Sequence, residues 1–163
     1  MNNTIDSSFL NPEIQEFIRR IVGKPCCRQS VGEFKSLTVG FGEKIPVPGA
    51  SLGYRGEWEF ITYNSAWRVI FGGQILCGSG DPESPAELNK ILERIPLGCF
   101  RSLEARGMDA RLYFDNLVMI DILAACHEDN SGDVLVIFGP QDEHIFFNLK
   151  EGWKIKCDSS PEK

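Results

Sequence analysis

Only two histidines, His127 and His144, occur in the 163 residues. Acid–base and nucleophilic sites draw on histidine more than on any other side chain, so little is present to build one from. No C-x-x-C pair is found and no histidine falls at zinc-ligand spacing. That excludes zinc ribbons, zinc fingers and thioredoxin-like redox motifs. G-x-S-x-G and H-E-x-x-H are missing too, and with them the hydrolase elbow and the metalloprotease helix. Basic stripes are absent: the longest cluster is Arg19-Arg20, in a segment that also carries Glu13 and Glu16. A nucleic-acid binder is therefore not expected. The longest apolar stretch, around Leu117 to Cys126, is broken by Asp121 and is too short to span a bilayer. The first residues, Met1 to Ser8, hold neither a basic nor an apolar signal region. A cytoplasmic protein without membrane contact is predicted, its six cysteines reduced and mostly packed as small apolar groups.

The glycine runs make no phosphate loop. No Lys-Ser/Thr pair follows Gly40-Phe41-Gly42 or Gly72-Gly73, and neither opens a helix. Gly78-Ser79-Gly80 does precede a helix start, but Asp81 and Glu83 there repel a phosphate. No cofactor and no metal site is expected.

What is present is an ordinary globular composition with an acidic balance. Seventeen lysines and arginines against 23 aspartates and glutamates leave a net charge of −6. Such a surface repels phosphate and draws basic partners over about 8 Å in physiological salt. The length suits one domain, residues 1–157, with a flexible tail at 158–163.

Asn11-Pro12-Glu13 reads as a capped helix start, and Ile14, Phe17, Ile18 and Ile21 follow at i, i+3, i+4 and i+7. Ser84-Pro85 opens a second helix, with Leu88, Ile91, Leu92 and Ile95 on its buried face. The remainder reads as strand. Segments are predicted at 34–41, 57–63, 67–71, 74–77, 99–105, 110–114, 117–123, 134–138 and 144–148, with a short one at 153–156. Gly72-Gly73 is a tight hairpin turn. Trp58, Phe60 and Thr62 share one side of their strand. Arg68 faces away from Trp67, where Glu57 or Glu59 could pair with it.

A faint repeat runs through this pattern. Arg28 and Arg101 follow cysteines near the start of a strand, and each lies thirteen residues before a phenylalanine, Phe41 or Phe114. An amphipathic helix precedes each unit. The expected fold is α+β: mostly antiparallel sheet in two similar half-units, 11–80 and 84–156, each with one amphipathic helix.

Candidate chemistry is sparse. Cys126 and His127 are neighbours, but adjacent strand residues point to opposite faces, so they do not meet. His144 could supply a base from the following hairpin. The plainer reading ends a core strand at Cys126. Glu128-Asp129-Asn130-Ser131-Gly132-Asp133 has the composition of a hard-cation loop but lacks its closing glutamate, and so reads as a solvated turn. With Asp142-Glu143 it would form an acidic rim suited to a basic protein. Trp58 and Trp67 read as core.

The run Gly56-Glu57-Trp58-Glu59-Phe60, then Ala66-Trp67-Arg68-Val69, then Ile75-Leu76-Cys77-Gly78-Ser79-Gly80-Asp81 resembles a recurring pattern in small bacterial proteins. A strand pair such as Arg111 to Leu117 usually follows it. The likeness covers about residues 20–150. Some of those proteins sit beside polymorphic or contact-dependent toxin genes and look like the cognate immunity proteins. The resemblance implies a non-catalytic protein that binds and neutralises a toxin domain, often a basic nuclease. Asp81, Glu83, Glu128, Asp129 and Asp133 are the residues expected to meet that partner. Two alternatives stay open. One is a non-catalytic small-ligand or protein-interaction module, with a pocket lined by Trp58, Trp67 and Phe71. The other is a cysteine-dependent enzyme using Cys126 or Cys77.

Overall fold

A computed structural model describes residues 10–124 and 132–157. Its elements run α1 (Pro12–Arg19), β1 (Cys26–Val31), a single 3-10 turn (Glu33–Lys35), β2 (Leu37–Pro46), β3 (Tyr54–Thr62), β4 (Ser65–Phe71), β5 (Gln74–Gly78) and α2 (Pro85–Leu92). They continue with β6 (Phe100–Arg106), β7 (Asp109–Phe114), β8 (Val118–Ala124), β9 (Asp133–Phe138), β10 (Glu143–Asn148) and β11 (Gly152–Cys157). The class is α+β, mostly antiparallel sheet with two amphipathic helices. One sheet has the order β1-β2-β3-β9-β10-β11 and the other β5-β4-β8-β7-β6.

Both helices start as their sequences dictate. The Asn11 side chain accepts from the Ile14 N–H, and Pro12 occupies the first turn. Ser84 and Glu87 form a reciprocal capping box. Ile14, Phe17 and Ile18 of α1, and Leu88 and Leu92 of α2, turn into the core.

The two sheets bury their inner faces in one core. Val39, Phe41, Trp58, Phe60, Leu135, Ile137 and Ile145 come from the first sheet; Trp67, Val69, Leu103, Leu112, Phe114, Ile120 and Ile122 come from the second. Aromatic rings join the two at the centre. Phe41 lies edge-on to Phe60 at 5.3 Å and stacks on Phe114 at 5.7 Å, while Phe100 packs on both Phe41 and Phe60.

The repeated phenylalanines thus meet. Each closes the first hairpin of its half: Phe41 sits opposite Cys26, and Phe114 opposite Phe100. The two hairpin starts are also bonded to each other. Gly23 donates to the Phe100 carbonyl, Phe100 to that of Lys24, and Cys26 to that of Gly98. Each sheet draws strands from both halves of the chain, β9 to β11 completing the first and β6 to β8 the second.

Three expectations change. Phe34 does not open a strand: it lies in the 3-10 turn with φ 56° and ψ 20°, and β2 begins at Leu37. That strand continues past Gly42 to Pro46 through a bulge, pairing Lys44 with Gly56. The close approach requires Gly56, since a Cβ there would lie 2.8 Å from the Gly40 Cα. Arg68 pairs with neither Glu57 nor Glu59. Those carboxylates hold Lys24 and Arg28, and Arg68 binds Asp121.

Candidate binding surface

The acidic residues expected to meet a partner fall in different places. Asp81 and Glu83 lie together in the loop leaving β5. The Asp81 carboxylate accepts from the Gly78 N–H at 2.9 Å and fixes the turn. Both negative charges reach back to Cys77, whose thiol is pushed up to about 11, first by burial and then by Asp81 and Glu83. Asp133 lies in the other sheet, at the start of β9, and its carboxylate accepts a long bond from the Asn148 amide at 3.5 Å. Glu128 and Asp129 lie outside the described residues, as do Cys126 and His127.

Asp133 lines an open hollow of about 400 Å³ with Tyr63, Phe138, His144, Phe146 and Lys156. The His144 ring lies 5.5 Å from Phe138 and 6.3 Å from Phe146, and the Lys156 ammonium stands 4.9 Å from the Phe146 centroid. Partial burial and the Asp133 charge push the Tyr63 phenol up. A larger groove of about 820 Å³ runs between β1, α2 and the loop before β3. Cys27, Arg28, Gln29, Ser30, Tyr54 and Glu93 are among the groups facing it. Its walls are mostly committed to one another: Gln29 Nε2 donates to the Ile95 carbonyl, the Asn89 amide clasps the Val31 backbone, and Arg28 pairs with Glu59.

Trp58, Trp67 and Phe71 line neither hollow. Trp58 and Trp67 are each only 2% exposed, inside the core, whereas Phe71 is 47% exposed at the surface. Among the described residues, no group of three or more histidines, cysteines, aspartates or glutamates could hold a metal ion. No helix among them is long and apolar enough to cross a membrane.

Sequence reading missed the most exposed aromatic residue of this surface. Phe34 is 99% exposed, and it and Lys35 both hold φ near +56°, a left-handed conformation that a bulky side chain rarely adopts. Long-range bonds hold the turn in place. The Trp67 indole donates to the Lys35 carbonyl at 2.7 Å, and the Lys35 ammonium donates to the Asp81 carbonyl. The turn that presents Phe34 is thereby tied through Lys35 to Trp67 and to Asp81. The signal was local: Gly32 and Ser36 bracket Glu33-Phe34-Lys35, and the Gly32 N–H closes the turn onto the Ser36 carbonyl at 2.9 Å.

Comparison with protein-family models, with curated proteins and with solved structures gives no match.

Proposed function

We propose that this protein works by binding, as an immunity protein that occupies and neutralises a basic toxin domain in the cytoplasm, without chemistry of its own. One observation carries the reading: a bulky aromatic side chain held almost wholly in solvent on a left-handed turn, whose next residue, Lys35, is bonded to the Trp67 indole and to the Asp81 carbonyl. An exposed phenylalanine costs free energy in water and strain in the backbone, and a partner's pocket offsets the first of these. Carboxylates in the loop bonded to that turn speed the approach of a basic surface and disfavour acidic ones. The net charge of −6 adds to the same steering.

The test uses the toxin domain encoded beside this gene. The purified pair should bind tightly, and co-expression should protect cells from the toxin. Phe34→Ala should speed dissociation. Asp81→Asn combined with Glu83→Gln should slow association, mainly at low salt, since asparagine can still cap the Gly78 N–H. A purified neighbouring toxin that ignores the wild-type protein would remove the proposal.

A further inference from the structure

Among the described residues the two sheets have four edge strands, and three of them are blocked along their length. On β1, the Asn89 side chain donates to the Val31 carbonyl and accepts from its N–H, while the Tyr54 hydroxyl donates to the Cys27 carbonyl. Side chains there already take the place of a neighbouring strand. The edge strand β11 carries Lys154 and Lys156. On β6, the first residues bond to the segment 23–26, and Arg101, Glu104 and Arg106 occupy the remainder. Plugs and charges of this kind are how sheet edges are kept from pairing with other chains.

Over Gln74 to Leu76 the fourth edge has no plug and no charge. At its buried end the Asp81 carboxylate accepts from the Gly78 N–H, the Gly78 carbonyl accepts from the Asp81 N–H, and a bulge interrupts the pairing with β4 beside Leu76. Strand β5 pairs with β4 alone, and its residues Gln74-Ile75-Leu76-Cys77-Gly78 include no charge and no proline. Ile75 is 58% exposed, and Leu76 and Phe71 are exposed as well. At its C-terminal end the strand runs into Asp81 and Glu83. We infer that β5 is a docking edge for an extended, basic segment of a partner protein, which adds to the second sheet as a sixth strand. This rests on the proposed partner-binding role and specifies how contact is made.

Main-chain bonds to the β5 edge supply affinity, and apolar side chains of the incoming strand cover Ile75 and Leu76. Lysines or arginines on that strand face Asp81 and Glu83. The Asp81 carboxylate lies against the strand itself, 2.9 Å from the Gly78 nitrogen. A second copy of this chain fits the edge less well, because it brings another net charge of −6 and no basic residue on its own β5.

The probe is a labelled synthetic peptide of alternating valine and lysine, with two controls. One has glutamate for lysine; the other keeps every lysine but has proline at its central valine. Fluorescence anisotropy gives affinity, and amide hydrogen exchange of the wild-type protein reports β5 directly. The lysine peptide should bind and slow exchange at Ile75 and Leu76. Proline removes a donor and interrupts the ladder, so affinity should fall by about tenfold or more. The glutamate peptide should not bind. Equal affinity for the proline peptide, or unchanged exchange along β5, would overturn the inference. So would a dimer of the protein alone that protects the same amides. A toxin domain that binds while β5 exchanges freely would sink strand addition and leave the immunity role standing. Peptide pairing on β5 with no toxin bound would do the reverse.

Discussion

Asp121→Ala should cost this fold about 3 kcal/mol, and the figure follows from what the carboxylate holds. On the outer face of the second sheet, Arg68, Asp121, Arg111 and Glu104 lie opposite one another on β4, β8, β7 and β6, alternating in charge. Asp121 is 4% exposed. It accepts from Arg68 Nε at 2.9 Å and from Arg111 Nη2 at 2.9 Å, with a further bond from Arg111 Nε. Burial alone would raise its carboxyl; the bonds from Arg111 and Arg68 overcome that and hold it below its ordinary value. Removing one member of a buried pair costs roughly 3–5 kcal/mol, because the other charge is stranded. The Arg68 side chain is 40% exposed and can turn to water, whereas Arg111 at 19% cannot do so as easily, which places the cost at the lower end. For a chain of this length each kcal/mol moves Tm by about 2–4 °C, giving a drop of about 6–12 °C by circular dichroism or calorimetry. Because the folded carboxyl is depressed, its stabilisation is complete above the unfolded carboxylate range and is lost as pH falls through the folded value. The wild-type advantage over Asp121→Ala should therefore shrink below about pH 4. A Tm change under about 2 °C at neutral pH, or an advantage that grows in acid, would refute the reasoning.

Three further outcomes can be checked directly. Burial pushes the Cys26 and Cys77 thiols up to about 11, so at pH 8 iodoacetamide should label exposed Cys157 well before either, as read by mass spectrometry. Gly56→Ala places a Cβ 2.7 Å from the Trp58 carbonyl oxygen and 2.8 Å from the Gly40 Cα, so chemical denaturation should show a loss of at least about 1–3 kcal/mol. Phe34→Gly should do the opposite, since it relieves about 1–2 kcal/mol of left-handed strain and gives back about 0.4–1 through the freer unfolded chain. A small gain of about 0.5 kcal/mol in folding stability, together with weaker toxin binding, is the expected pair of readouts.

What the sequence disclosed was local. Asn11-Pro12 and Ser84-Pro85 announce helices because a cap and a proline act within one turn, and the apolar spacing behind each names the buried face. Trp58, Phe60 and Thr62 were legible as core because alternation assigns the two faces of a strand. Asp81 and Glu83 were legible as a pair because three residues of chain keep them together. Asp133 was not separable from them, since its place depends on β9 joining β3, far away in sequence. Arg68 was given the wrong partners for the same reason. Glu57 and Glu59 are near in sequence but lie in the other sheet, and register with β8 brings Asp121 opposite instead. Phe34 reads as a strand residue because an aromatic just ahead of Leu37-Thr38-Val39 has strand propensity, although it lies out of phase with the Leu37–Val39–Phe41 alternation. Nothing in that pattern reveals that Trp67 and Asp81 will hold the preceding turn in a left-handed form.

Strain and exposure recur at two places that Asp81 connects. Phe34 is strained and solvated, Ile75 is exposed on an open stretch of edge, and Asp81 is bonded both to Lys35 of the turn and to Gly78 at the end of β5. Each would be cheaply removed: glycine relaxes the turn, and a lysine on β5 closes the edge. The other three edges carry such remedies in this same chain, so the means of protection are plainly within reach of its sequence. A partner that buries Phe34 and pairs with β5 accounts for both exceptions at once. One partner should therefore feel both: Phe34→Ala and Ile75→Lys should each weaken toxin binding, their costs adding where the two side chains do not touch, and an affinity left unchanged by either substitution would remove that residue from the contact.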